Sequence, residues 1–273
     1  LVELLMILIE ALLKDAVSYM DMLLLNLVPI AFYTENAFDA ILGINVMTEL
    51  RNILFYFGVS LIALKFVQKG FNTYVLWTDG DADADPLLFL TYLLKALVVA
   101  ISFPTLYYWM ATIVEDLTGQ ILAILTQGVS VNFALIVTQI MSAGILTAIL
   151  GVIYFAILLK FYLGFLKTGL EILILRLGIP IACVGLIDSD QGVFKTYMQK
   201  FFQVMITVML QIILLKLSFA LVVNGNLIWA IVAVMTAMST PRLLQEFMIP
   251  GGQGGNALGK AYYATQMIRA LRR

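Results

Sequence analysis

Long apolar runs separated by short polar stretches organise the chain from residue 51 onward. A membrane-spanning helix needs about 20 apolar residues, fewer where polar ends reach back to the interface. Five runs qualify: 51–67, 86–114, 139–160, 201–223 and the shorter 227–240. Pro104 predicts a kink in the second. The third is followed by "FLKTGLEILILRLGIPIACVGLI", which is interrupted by Lys167, Glu171 and Arg176. The preferred reading continues the third helix past the membrane to residue 176. The segment "LGIPIACVGLI" is then too short to span, and is re-entrant or buried against partners. A sixth span is the alternative. In residues 1–50, Glu3, Glu10, Lys14 and Asp21 are spaced by seven, four and seven. This places them on one face of an amphipathic helix, lying on the outer interface or against a neighbouring subunit. The spans thus form a transmembrane domain over 51–240, and 241–273 is a basic tail.

Composition agrees with this pattern. Hydrophobic residues make up 62% of the chain and charged residues 12%, against about 25% charged in ordinary soluble domains. The expected fold is all-α: a polytopic helical membrane protein with five transmembrane helices. A net charge of −1 gives no basic field for nucleic acid. The lack of histidine excludes His-based triads and His-ligated metals, and the single cysteine, Cys183, cannot form an internal disulfide. No signal peptide is read in "LVELLMILIEALL", which has two acids and no basic start.

Lys and Arg set the expected orientation, N-terminus outside and C-terminus cytoplasmic. Lys65, Lys69, Lys95, Lys160, Lys167, Arg176, Lys195, Lys200 and Arg242 then lie inside with the tail, whereas 115–138 carries no basic residue. Only Lys14, Arg51 and Lys216 fall elsewhere. Lys216, two turns from the outer end of its span, reads as a snorkelling side chain.

Candidate chemistry is sparse. The stretch "YVLWTDGDADADP" alternates Asp79, Asp81, Asp83 and Asp85 before Pro86. Asp85 can cap the helix that Pro86 opens, and the other carboxylates gain from the helix dipole. Capping needs one carboxylate. Asp79, Asp81 and Asp83 therefore read either as a solvated cap or as an anionic edge for a basic partner. A calcium loop is a poor match, with Ala84 where glycine belongs and Leu90 where a bidentate glutamate belongs. An intramembrane aspartyl protease does not fit either, because the run lies outside the spans. The fourth span carries a polar stripe of Gln203, Thr207, Gln211 and Ser218 on one face, for interhelical hydrogen bonds or a pore lining. Gly144, Ala148 and Gly151 read as a small-residue packing ladder in the third. "STPRLLQEFMIP" reads as a short helix capped by Thr240 with Pro241 at its first position. In the tail, Lys260, Arg269, Arg272 and Arg273 are either an ordinary inner anchor or a docking segment.

Three phrases carry a resemblance: "YVLWTDGDADADP", "SFPTLYYWMATIVEDL" and "IPGGQGGNALGKAYY". Together they resemble the TrbL-type polytopic inner-membrane subunit of type IV secretion systems, in its branch from conjugative elements of Gram-positive bacteria. The resemblance runs from about residue 50 onward. It implies a structural, channel-forming subunit of a conjugation machine that moves DNA or protein across the cytoplasmic membrane. It implies no enzymatic activity, no catalytic residue, no metal and no cofactor. The implied partners are further copies of the chain (a pentameric ring being one form), other conjugation membrane subunits, cytoplasmic ATPases, membrane lipid and, transiently, the transferred DNA or protein. The alternative class is a small-solute transporter or ion channel. Paired broken helices and a charged midplane site would mark it, and the chain shows one kinked span and few midplane charges.

Overall fold

The computed structural model describes residues 7–11, 27–43, 45–79, 86–126, 133–188 and 191–248. These are helical almost throughout. In chain order the helices are α1 (Leu27–Phe32), α2 (Thr34–Leu42), α3 (Val46–Thr78), α4 (Pro86–Thr126), α5 (Phe133–Ser142), α6 (Ile145–Ala182), α7 (Gly192–Val223) and α8 (Leu227–Met248). A 3-10 turn, Cys183–Ile187, extends α6. Five segments are long and apolar enough to cross a membrane: Val46–Thr78, Leu87–Ile121, Ile145–Ile187, Gly192–Val223 and Leu227–Leu244.

Each apolar run of the sequence became a helix, because a backbone in hydrocarbon must satisfy its own hydrogen bonds. The ends moved outward. The first helix continues past residue 67 to Thr78, and the second past 114 to Thr126. At 1.5 Å per residue, α4 and α6 are about 62 and 57 Å long, roughly twice a hydrocarbon core of about 30 Å. The third run does not begin as one helix at 139. Gly144 breaks it with φ of +99°, a conformation that glycine adopts without a Cβ penalty, and α6 starts only at Ile145.

α7 and α8 form an antiparallel hairpin across the tight turn Asn224–Asn226, where Gly225 has φ of +77°. They bury Phe201, Val208, Leu215 and Phe219 of α7 and Ala230, Val234 and Ala237 of α8. Small residues on α8 let the two backbones approach. Around this hairpin pack α6, with Tyr154, Leu158, Phe161 and Phe165, and α4, with Phe103 edge-on to Phe201 at 5.4 Å. By contrast α3 presents Ile53, Tyr56, Leu64 and Phe71 outward, and α4 presents Val98, Ile101 and Trp109.

α6 runs further than the expected end at residue 176. The last part of α6 and its 3-10 turn run beside α3 in the same direction. Arg176 lies next to Arg51, Gly58 abuts Pro180, and Lys65 and Lys69 meet Asp188. Arg176 is therefore level with Arg51, at the opposite end of α3 from the two lysines. The segment 177–187 is not a separate element. It stays helical through Pro180, and Ile179, Cys183, Leu186 and Ile187 are buried in the chain's own core.

Candidate functional site

Among the described residues, the polar stripe of α7 is the most concentrated buried polar feature. Gln203, Thr207, Gln211 and Ser218 are all buried, and three of the four face α8. Gln203 Nε2 donates to the carbonyl of Pro241 at 3.4 Å, Gln211 Nε2 to that of Ala237 at 3.3 Å, and Ser218 Oγ to that of Ala230 at 3.0 Å. Thr207 turns back to the Gln203 carbonyl at 2.8 Å. Ser218 also meets the Tyr154 hydroxyl at 2.8 Å. A hydroxyl has one proton; with that of Ser218 given to Ala230, Tyr154 is the donor of this pair.

These partners have a backbone cause. α8 does not stop at Thr240 and restart as a short capped helix. It runs through Pro241 to Met248, and the Thr240 hydroxyl donates to the Thr236 carbonyl at 3.0 Å. A proline within a helix removes the N–H that would bond the carbonyl four residues earlier, here that of Ala237. Gln211 supplies the donor in its place. The amide oxygens of Gln203 and Gln211 themselves have no hydrogen-bond partner. Within one copy, then, the donors of the stripe hold α8 to α7.

Two charged clusters mark the ends of the α3–α6 pair. At one, Asp188 accepts from Lys65 at 2.5 Å and from Lys69, and Lys95 reaches Gln191 Oε1 at 3.2 Å. Burial pushes the Asp188 carboxyl up, but the hydrogen bonds and charges of the two lysines outweigh it and hold it below the usual carboxylate range. At the other end Arg176 pairs with Glu35 of α2 and lies over the Tyr107 ring, 4.3 Å from its centroid. The Tyr107 hydroxyl donates to the Phe32 carbonyl at 2.6 Å, which ties α1 to α4.

The remaining sequence candidates are dispersed. Asp79 is exposed just after α3, whereas Asp81, Asp83, Lys260, Arg269, Arg272 and Arg273 lie outside the described residues. In the proposed ladder Ala148 and Gly151 are buried and Gly144 is the residue before the helix. A Cβ on Gly151 would stand 2.5 Å from Ile140 Cγ2, so its partner is α5 of the same chain. Lys216 is half-buried, with Nζ 6.0 Å from the Phe219 ring centroid. Of the N-terminal stripe only Glu10 is described, one residue after the buried Ile9. Glu35 and Asp188 were missed. Pro241 held a usable signal, because its position implies an unsatisfied carbonyl at Ala237 that a membrane-buried glutamine can serve.

A family model described as "Conjugal transfer protein TrbL" matches residues 1–273. No curated protein and no solved structure matches the chain.

Proposed function

The chain belongs to the TrbL family of conjugal transfer proteins, and from that premise we propose that it is a structural, channel-forming subunit of a conjugative type IV secretion machine, in the branch carried by Gram-positive conjugative elements. It sits in the cytoplasmic membrane with its N-terminus outside and its C-terminus inside, and it helps DNA or protein across without catalysing a reaction. The observation that carries this reading is the match of the family over the whole chain, on a bundle with five apolar helices of spanning length.

The internal use of the polar stripe supports a conduit built between copies. Gln203, Gln211 and Ser218 direct their donors to α8, so a path through one copy would have to break those bonds. The outward apolar rows of α3 and α4 suit lipid and neighbouring subunits. In this reading the partners are further copies of the chain, other conjugation membrane subunits and cytoplasmic ATPases. Asp79, Asp81 and Asp83 and the basic tail serve as docking points for them.

The test is conjugative transfer after deletion of the gene and its restoration with a Cys183→Ala chain carrying Tyr56→Cys. Transfer should be lost on deletion and return with the variant, and membrane crosslinking through position 56 should give multimers. Undiminished transfer without the gene would overturn the proposal. A periplasmic-type or extracellular signal from a reporter fused after Arg273 would overturn the orientation.

A further inference from the structure

A cleft of about 290 Å³ opens between α3, α4 and the last turns of α6. Its rim is polar: Arg51 and Asn52 from α3, and Arg176 from α6. The rest of its lining is apolar and includes Phe55 on α3 and Pro180 on α6, one helical turn after Arg51 and Arg176, and Phe103 on α4. Arg176 already holds Glu35 and Tyr107. Arg51 has no ion-pair partner among the described residues. Arg51, Arg176 and Glu35 together leave one positive charge at the mouth.

The backbone explains why space remains here. Pro104 in α4 and Pro180 in α6 both line the cleft. A proline ring crowds the helix turn before it, and here two neighbouring helices each set a proline against the same opening. Pro180 is pressed against Gly58, where a Cβ would stand 2.5 Å from Pro180 Cβ. The glycine lets α3 and α6 approach each other closely beside the cleft. On the lateral side Ile101 lines the cleft and is 64% exposed, so the opening faces the surroundings of the bundle.

We infer that this cleft binds an anionic phospholipid, its phosphate against Arg51 and Arg176 and the start of one acyl chain along Phe55, Ile101 and Pro104. The arrangement matches the molecule from end to end. A guanidinium is the preferred group for phosphate, because its fork of donors fits two oxygens. A free arginine at the end of a membrane span, with an apolar slot one turn deeper, reproduces the headgroup-to-chain order of a lipid. A zwitterionic lipid offers the same chain, but its own cation opposes the residual charge. Inorganic phosphate offers the same anion but leaves the slot unfilled.

The test uses the full chain in detergent, with an equimolar mixture of phosphatidylglycerol and phosphatidylcholine, and counts retained lipids by native mass spectrometry. Phosphatidylglycerol should be retained over phosphatidylcholine. Arg51→Gln should lower that retention about tenfold, the loss of one charge-assisted contact, and Arg51→Lys should recover part of it. Ile101→Trp, at an exposed position, should block retention without change in helical content. Equal retention of both lipids, or no effect of Arg51→Gln, would overturn the inference. Displacement of phosphatidylglycerol by millimolar inorganic phosphate, with Ile101→Trp silent, would overturn it in favour of a free-anion site.

Discussion

Replacing Gln211 by leucine tests whether this side chain repairs the break that Pro241 makes in α8. In the natural chain the Ala237 carbonyl lacks its helical donor, and Gln211 Nε2 supplies one at 3.3 Å. Gln211→Leu leaves that carbonyl bare in a buried, apolar setting, at a cost of about 1–3 kcal/mol. It also removes the unpartnered amide oxygen of Gln211, which offsets part of that cost. Interhelical hydrogen bonds in membranes average about 0.6 kcal/mol and reach about 1.7, so the expected net loss is about 1 kcal/mol. The informative measurement is the same change in a Pro241→Ala background. There residue 241 regains its N–H and closes onto Ala237. Gln211→Leu then removes only an orphan oxygen and should be neutral or stabilising. Both comparisons come from unfolding in mixed micelles of dodecyl maltoside and SDS, followed by helical circular dichroism. A double-mutant cycle gives a coupling of about 1 kcal/mol if the account holds. An equal cost of Gln211→Leu in both backgrounds would refute it.

Asp188→Asn should destabilise the bundle at neutral pH by about 1–3 kcal/mol, since two lysines lose their shared counter-charge. Because the Asp188 carboxyl is held below its usual range, its contribution is present above the unfolded value and lost as pH falls through the folded one. Melts of the natural chain and the variant should therefore converge in acid; a constant gap across pH would count against the cluster. Gly58→Val should cost about 1–3 kcal/mol by overpacking against Pro180, read as a lower micelle-unfolding midpoint, and an unchanged midpoint would show that α3 and α6 separate freely. Changing Asp79, Asp81 and Asp83 together to Asn should reduce transfer and weaken partner co-purification at low salt while making it less salt-dependent, a combined effect because single exposed pairs contribute only about 0–1 kcal/mol. Normal transfer and co-purification would leave the run as a solvated helix cap, and loss of insertion would assign it a topogenic role.

The number and type of long helices were legible because apolar length alone decides what can cross a membrane. The direction of the α7 stripe was legible too, since spacings of four and seven keep Gln203, Thr207, Gln211 and Ser218 on one face whatever they meet. What they meet was not. Ala237 needs a donor only because of Pro241, and that follows from a helix running through a proline that reads more naturally as a start. The partners of the charges along α6 were not legible. Lys167, Glu171 and Arg176 read as a helix continuing past the bilayer, and the side chain that Arg176 meets is Glu35, 141 residues earlier. A one-dimensional charge pattern has no access to such a pair. Gly144 failed for a local reason: a small residue in an apolar run fits a packing ladder and a left-handed break equally well.

The pairing of α3 with the end of α6 also imposes an order on biosynthesis. Lys65 and Lys69 enter the membrane region with their anion, Asp188, still 123 and 119 residues from being made. Arg176 likewise arrives 141 residues after Glu35. Until then α3 is held by neighbours made earlier or soon after it, since Asp39 accepts from the Met47 N–H at its start and Phe66 stacks on Phe89 of α4 toward its other end, but its lysines wait for their anion. The emergence of residues 176–188 supplies both sets of ion pairs nearly at once, so the charged ties of α3 are completed only after α3 and α4 have both been made. A chain released before residue 176 would carry all of α3 and α4 yet leave Glu35, Lys65 and Lys69 without the charges they meet in the finished bundle, which makes this short stretch the place where the charges of the pair are matched.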